Sequence, residues 1–470
     1  MVRCKSIRGA GVALLLAGLV FWAFGGALDC GFVSFDDGVY VYRNQVVFEG
    51  LSLAGVRWAF TTGTQSNWHP LTWLSHMLDV EWHGLEPRGH HAASLVLHAL
   101  NVVVLFGVLR RLTGRTGLAL CAAALWGVHP LRTESVAWIS ERKDVLAMLF
   151  GLLAVGAYGW RAPGGGSRPS RGQMLLTACF LALSFMSKPL WVTLPFLLLL
   201  LDAWPLDRWP GERVWKLVRE KWLLFLLTAA SCAVTLAVQT AGGAVRPLSR
   251  YPLPGRVANA AVALAQYVKV LFLPRGLAFF HPMPPDGHGP AAVAGAAVFL
   301  VAVTAGCVAV RRKQPWVLTG WLWFAGALVP MLGLVQMGEQ AWADRYTYLP
   351  HIGLILAGVW TADRMLRTVM PRAASWVGPL AACAAVAALG TASRWQTKTW
   401  QDSGTLYRHA LDVTQDNALA HGNLGAWLID QGRLLEGEQH LRQSLAIRPR
   451  FNRARLQLAK LCMMTGRRAE

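Results

Sequence analysis

From its first residues the chain alternates long apolar runs with short polar turns. An apolar run from Ala10 to about Ala27 follows Arg3, Lys5 and Arg8. Further runs lie at 91–109, 118–128, 145–160, 174–186, 191–203, 222–238, 291–310, 316–335, 349–360 and 376–389. Most approach the roughly 20 helical residues that cross a hydrocarbon core, so the pattern predicts an all-α polytopic membrane protein with about eleven spans. The clusters Arg110/Arg111/Arg115, Arg161/Arg168/Arg171, Arg208/Arg213/Lys216/Arg219/Lys221, Arg311/Arg312/Lys313 and Arg364/Arg367/Arg372 fall at alternate turns. By the positive-inside rule those turns and the N-terminus are cytoplasmic. The moderately apolar stretch 257–273 would break this alternation as a span, and it reads as an amphipathic helix in the outer interface. The external side then holds a first loop at 29–90, the turn 129–144, residues 336–348 and everything after Arg394.

Composition narrows the class. Of 470 residues, 54% are hydrophobic and 15% charged, with a mean hydropathy of +0.37, which excludes an ordinary soluble enzyme. The net charge of +20 would suggest nucleic acid in a soluble chain, but here the basic residues sit between apolar runs and serve as topology signals, so no nucleic-acid partner is indicated. The 8 cysteines form no C-x-x-C pair, which argues against a disulfide framework or a Cys-ligated metal. GALDC at 26–30 departs from a lipoprotein cleavage box at Asp29, so the first run is an uncleaved span. Walker, G-x-G-x-x-G, G-x-S-x-G and H-E-x-x-H motifs are absent from the sequence, which removes nucleotide-driven transport and the familiar hydrolase chemistries.

After Arg394 the composition becomes that of a soluble helical segment. Leu424, Gly425, Leu428, Gly432, Gly437, Leu441, Ser444 and Pro449 fit the packing positions of a 34-residue tetratricopeptide repeat. Leu458, Ala459 and Gly466 begin another, and Tyr407 with Ala410 fits the end of a preceding one. The division is therefore a membrane domain at 1–393 and a helical repeat region at 394–470, too short to stand alone and expected to pack on the membrane domain or a protein partner. A capping hairpin that only steadies the last span is the plainer alternative.

Candidate chemistry lies in polar residues at the outer ends of the runs. Asp36 and Asp37 are adjacent carboxylates among aromatics, able to supply a base or hold a divalent cation, or else a solvated Asp-Asp-Gly turn. The segment 129–144 carries His129, Arg132, Glu134, Glu141, Arg142, Lys143 and Asp144 between runs too short for a full core. A helix running back from Val145 through Ser135 would put Glu134 and Glu141 on one face, about 10 Å apart. Charges at that depth are costly unless they line a cavity. Lys188 before Pro189, and Arg345 in ADRYTYLP, are further outward cations, either snorkelling anchors or ligands of an anionic headgroup. His69, His76, His83 and His90 recur every seven residues, yet Pro70, Gly84 and Pro87 interrupt any continuous helix through them, which counts against a zinc site.

FDD, NWHPLTWLS, HHAASLVLHALN, HPLRTESVAWISERKDVL, SKPLWVTLPFLLLLLD and ADRYTYLPHIGL, in this order and followed by repeats, resemble the transmembrane and tetratricopeptide-repeat-containing O-mannosyltransferase family and its bacterial relatives. The resemblance covers nearly the whole chain. It implies a GT-C glycosyltransferase fold, a polyprenyl-phosphate sugar donor and a catalytic acid in the first external loop. The acidic pair falls on Asp36 and Asp37, and the family's recurring charged positions fall on Glu134, Arg142, Asp144 and Arg345. The chain departs from long-tailed members in its short repeat region, and in Lys143 where a small residue is expected between Arg142 and Asp144.

The expected activity is transfer of a sugar, with mannose suggested by the family, to a hydroxyl of an external protein or glycan by a single inverting displacement. Asp36 is the expected base and Asp37 its partner or a metal ligand. Arg142, Arg345, Lys188 and Lys143 would hold the donor phosphate, with Glu134, Asp144, His129 and His69 in support. A divalent cation on Asp36, Asp37 and Glu134 is the optional cofactor. The expected location is a bacterial inner membrane, in contact with its lipid, with the site and repeats facing the periplasm. A membrane-anchored repeat scaffold for secreted partners is the non-enzymatic alternative, and a lipid-sugar flippase a third reading that lacks paired broken helices.

Overall fold

The computed structural model describes residues 2–159 and 168–466; Trp160, Arg161 and the cationic N-terminal side chains of Arg3, Lys5 and Arg8 lie outside the described side chains. Each apolar run predicted above carries a helix. These are Val2–Phe24, Pro87–Thr113, Thr116–Gly127, Arg142–Tyr158, Arg171–Ser187, Leu194–Ala203, Trp222–Ala241, Pro290–Val310, Pro315–Leu328, His351–Val369 and Ala374–Lys398. Among the described residues, five helices are long and apolar enough to cross a membrane: 9–29, 87–113, 222–241, 290–310 and 374–398. The most apolar windows of the 222–241, 290–310 and 374–398 helices are only 6%, 11% and 11% buried, so these helices present hydrocarbon outward, as an integral membrane protein must.

Local chemistry sets the boundaries. Pro87, Pro290 and Pro315 open helices at the one position where a missing N–H costs nothing, and Ser170 with Gln173 forms a capping box before Arg171–Ser187. Pro87–Thr113 lies at the centre, packed against Val2–Phe24, Thr116–Gly127 and Arg142–Tyr158. Pro315–Leu328 and His351–Val369 cross where Gly320 faces Gly353, because a Cβ on Gly320 would stand 2.3 Å from the Gly353 carbonyl oxygen. The Leu253–Phe272 helix buries one face, with Asn259, Ala260, Ala263 and Tyr267, and the Asn259 amide donates to the Ala341 carbonyl at 2.9 Å.

The two ends of the bundle differ. Arg142–Tyr158 starts in the charged 129–144 turn and ends where the Tyr158 hydroxyl donates to Asp202 at 2.6 Å. Beside it Arg208 pairs with Asp202 and Glu220, and Lys221 with Asp202 at 2.5 Å. Arg168 reaches Glu220 and Arg115 reaches Asp363, each at 3.1 Å. These contacts join basic clusters assigned above to one membrane face.

At the opposite end the first loop is largely helical, with short helices at Gln45–Phe48 and Leu53–Thr61 before Pro70–His83. Four C-terminal helices, Ser403–Val413, Ala418–Asp430, Leu434–Ile447 and Asn452–Met464, dock there. Ala27, Val33, Trp138 and Phe279 share a buried cluster with Trp400, Tyr407, Leu424 and Leu428. The Ser34 amide donates to Ser403 Oγ at 2.8 Å, the Gly31 amide to the Gln401 carbonyl at 2.9 Å, and Arg448 pairs with Glu339.

Single cysteines at exposed Glu49 and Gln443, in a cysteine-free background, should therefore label from the same side of the membrane, and one at exposed Arg213 from the other. Labelling of Glu49 and Gln443 from opposite sides would contradict this packing.

Candidate active site

The 129–144 segment does not continue the following helix backwards. Thr133–Ala137 is one turn, Trp138 is extended (φ −86°, ψ 111°), Ile139–Glu141 is a 3-10 turn, and the long helix starts at Arg142. The continuous helix expected through Ser135 is therefore corrected: the break at Trp138 turns the backbone so that the Ser140 amide and hydroxyl donate to Asp37 Oδ1 at 2.9 and 2.5 Å. Trp138 fills the kink, stacked on Trp400 with ring centroids 5.7 Å apart.

Around the break, carboxylates and cations interleave. Glu134 accepts from the Arg345 amide at 2.8 Å and pairs with its guanidinium. Glu141 lies 3.1 Å from Lys143 Nζ, 2.9 Å from Lys188 Nζ and 3.4 Å from Arg345 Nε. Asp144 accepts from Lys188 at 2.6 Å and from the Ser135 hydroxyl at 3.0 Å. Arg345 also lies over the Trp138 ring, and Lys143 over Tyr40 at 4.5 Å. Glu134 and Glu141 are not on one face of a continuous helix as the spacing suggested; the break at Trp138 brings both to the shared cation Arg345.

The acidic pair splits. Asp37 is 1% exposed and its carboxylate accepts from the Val33 amide at 2.9 Å as well as from Ser140. Burial raises its pKa to about 6 despite these bonds. Asp36 is half-buried, and among the described residues its carboxylate makes no hydrogen bond or ion pair. Burial raises its pKa too, against the pull of Lys143 and Arg345, while Glu141 adds to the rise. Burial likewise pushes Glu134 upward, against the pull of Arg345.

The remaining expected residues divide between site and frame. The Lys188, Arg345 and Lys143 side chains are 20%, 14% and 9% exposed, so Lys188 is the cation most open to an incoming anion. Arg142 is elsewhere: at 1% exposure its guanidinium is 2.6 Å from Asp79 and donates to Ser94 Oγ and the His90 carbonyl, so its charge is spent within the fold. Asp79, not singled out in the sequence, is the partner that removes Arg142 from the outward-facing set. His129 is buried, bonded through Nε2 to the Leu271 carbonyl at 2.9 Å. His69 is buried and stacks on Tyr40 at 5.5 Å, beneath Lys143. A divalent cation on Asp36, Asp37 and Glu134 does not fit, because the Asp37 oxygens accept protein donors and both Glu134 oxygens face Arg345. Asp344, beside Arg345, accepts from the Ala278 amide at 2.9 Å and meets His281 Nε2 at 3.2 Å, which fixes the strand and turn that deliver Arg345. The signal for it was only its adjacency to Arg345.

Helices presenting apolar faces outward, with a semi-buried acid–base cluster under a helical cap at one end, define a polytopic membrane protein with a candidate acid–base site. The comparisons give its relatives. Protein O-mannosyl-transferase TMTC1 from Homo sapiens is 25% identical over 521 residues, covering 97% of this chain and 57% of its own length. The Mus musculus TMTC1 is 34% identical over 168 residues, and Drosophila melanogaster Tmtc2 30% over 163 residues. The chain is thus similar to protein O-mannosyl-transferases, and it spans 57% of the length of the human protein. A solved structure, ArnT from Cupriavidus metallidurans bound to undecaprenyl phosphate, aligns over 99% of this chain and 79% of its own at 13% identity with a TM-score of 0.40. No family model matches.

Asp37→Asn should lower thermal stability where Asp36→Asn does not. The amide replaces one acceptor with a donor, leaving a buried Val33 or Ser140 donor unpaired at a cost of about 1–3 kcal/mol. Thermal unfolding of the purified, detergent-solubilised variants checks this; equal melting temperatures would contradict a framework role for Asp37.

Proposed function

We propose that the chain is a GT-C-type glycosyltransferase of the outer membrane face, moving a sugar, mannose on the strength of its relatives' names, from a polyprenyl-phosphate donor to a hydroxyl of an external protein or glycan. The observation that carries the proposal is Asp36: a half-buried carboxylate with no partner of its own, set among cations that already have theirs. Glu134, Glu141 and Asp144 are tied to Arg345, Lys143 and Lys188, which leaves Asp36 as the carboxylate free to take a proton. The donor class follows the family resemblance, and the relatives named O-mannosyl-transferases support the reaction class.

The chemistry asks for a base and for positive charge. Asp36 accepts the proton of the acceptor hydroxyl as its oxygen bonds to the anomeric carbon, and the bond from that carbon to the phosphate oxygen breaks with inversion, releasing polyprenyl phosphate. Phosphate leaves without a strong acid, so Lys188 and Arg345, held in place by Glu141, Asp144 and Glu134, stabilise the charge that develops on it. Asp37 is a positioning residue: it fixes the loop and the Ser140 turn on which Asp36 and Lys143 stand. The four C-terminal helices, from Ser403 to Met464, sit over the same end, where they take part in acceptor binding.

Asp36→Asn should cut transfer from a labelled polyprenyl-phosphate sugar in proteoliposomes by roughly 100-fold to 10,000-fold at unchanged donor binding. Full activity in that variant would move the weight to a repeat-bearing scaffold. Lys188→Met should instead weaken donor binding, and unchanged affinity would leave Lys188 an internal ion-pair partner only.

A pH profile gives a separate check. Because burial raises the Asp36 carboxyl, the acid limb of kcat/KM should lie above the ordinary carboxylate range, with activity falling as pH drops and the base takes up its proton. A limb at the ordinary carboxylate value would point to a solvated acid.

A further inference from the structure

The proline and glycine interruptions among the spaced histidines have an unexpected outcome. Pro70 and Pro87 each start a helix, and Gly84, with φ +59°, turns the chain between Pro70–His83 and Pro87–Thr113. The turn folds the second helix back on the first, so that His76 and Asp79 meet His90, with one ligand atom from each lying within 4.8 Å of the others. His76, Asp79 and His90 are 0%, 3% and 0% exposed. Their polar atoms are poorly served by protein partners. Among the described residues neither His76 nitrogen has a hydrogen-bond partner, a costly state for an imidazole removed from water. His90 Nε2 faces the Gly84 carbonyl at 3.1 Å and must carry its hydrogen there. His90 Nδ1 lies 3.3 Å from Asp79 Oδ2, so the two side chains face one another across a space that a shared ion or proton would fill.

We propose that His76, Asp79 and His90 bind a transition-metal ion, with zinc as its probe, and that the ion staples the first external loop to the Pro87–Thr113 helix. Two imidazoles and a carboxylate are ligands that Zn2+ accepts, and a fourth position is left for water or hydroxide. Ligand atoms about 2.0–2.1 Å from one tetrahedral ion stand roughly 3.3 Å apart. The His90 Nδ1 to Asp79 Oδ2 separation already has that value. His76 has only to close the remaining gap, since its ligand atom already lies within 4.8 Å of the other two. Arg142, 2.6 Å from Asp79 Oδ2, acts as an outer partner that orients the carboxylate; a bound hydroxide would offset the positive charge it adds. Phe32 lies 5.4 Å from the His90 ring and Tyr40 6.1 Å from His76, centroid to centroid, so the ion supports the segment that carries Asp36 from behind and touches no reacting group. This inference is independent of the proposed transferase activity.

The test is metal analysis of the full chain, purified without a histidine tag from zinc-supplemented culture. The expected result is about one zinc per chain, with X-ray absorption showing a shell of nitrogen and oxygen at about 2.0–2.1 Å. His76→Gln should bring the metal to background while the protein stays folded by circular dichroism. His440→Ala should leave it unchanged, although His440 pairs with His421 at 3.0 Å in the C-terminal region. A folded wild-type protein that holds no zinc after supplementation and direct titration overturns the proposal. Metal retained in His76→Gln and lost in His440→Ala would assign the ion to the C-terminal histidines and overturn it equally.

Discussion

Everything at the end of this molecule that carries the candidate site depends on the mutual neutralisation of charges that stand out of water. Glu134, Glu141 and Asp144 are each at most 3% exposed, and they are compensated by Arg345, Lys143 and Lys188. Opposite charges about 3 Å apart attract by roughly 5 kcal/mol at an effective dielectric of 20. Removing one partner of such a buried pair typically costs about 3–5 kcal/mol, because the other is left uncompensated. Three segments far apart in sequence supply the network: the 129–144 turn, the Lys188 junction and the Arg345 turn. Its charge balance therefore fixes how three regions of the bundle meet, which an apolar contact of equal area would specify less sharply.

That balance also explains the asymmetry of the acidic pair. Neighbours in sequence face opposite ways along the short turn: Asp37 points into the fold, where Ser140 and Val33 consume its lone pairs, and Asp36 points to the paired cluster. A carboxylate saturated with backbone donors is a poor proton acceptor for a substrate. One that feels nearby cations without contacting them is a better one, since no protein bond must break for it to accept a proton.

Much of the framework was legible in the chain. Each apolar run carries a helix, because length and hydropathy are local properties, but several ends differ by seven to nine residues, as at His351–Val369 against the run 349–360. The depth of 129–144 was legible for the same reason: runs flanking it are short. The break at Trp138 was not, since TESVAWISERKDV contains no Pro or Gly, and the kink is selected by Asp37, Trp400 and Arg345 from elsewhere in the sequence. Arg142 misled for a related reason. Its motif sits beside Lys143 and Asp144, yet its guanidinium turns the other way to Asp79, a residue whose importance lies wholly in a tertiary contact. Helix breakers among the histidines were rightly read as ending a helix, but a break is also what permits two helices to return and face one another.

The docked C-terminal helices add the last constraint. The same buried cluster holds Val33, three residues before Asp36, and Trp138 at the kink, together with Trp400, Tyr407 and Leu424. The Ser34 hydroxyl meets the Tyr407 hydroxyl at 3.0 Å, and Ser34 stands two residues from Asp36. The loop bearing the candidate base is thus clamped from above by the C-terminal helices and from below by the Pro70–His83 and Pro87–Thr113 pair. A segment this short cannot shift between such clamps without breaking the Ser34 amide bond to Ser403 on one side or the packing of Phe32 and Tyr40 on His90 and Trp73 on the other. The same helices reach the Trp138 kink through Trp400, so the candidate base, through Ser34, and the ion-paired cluster, through Trp138, rest on one support.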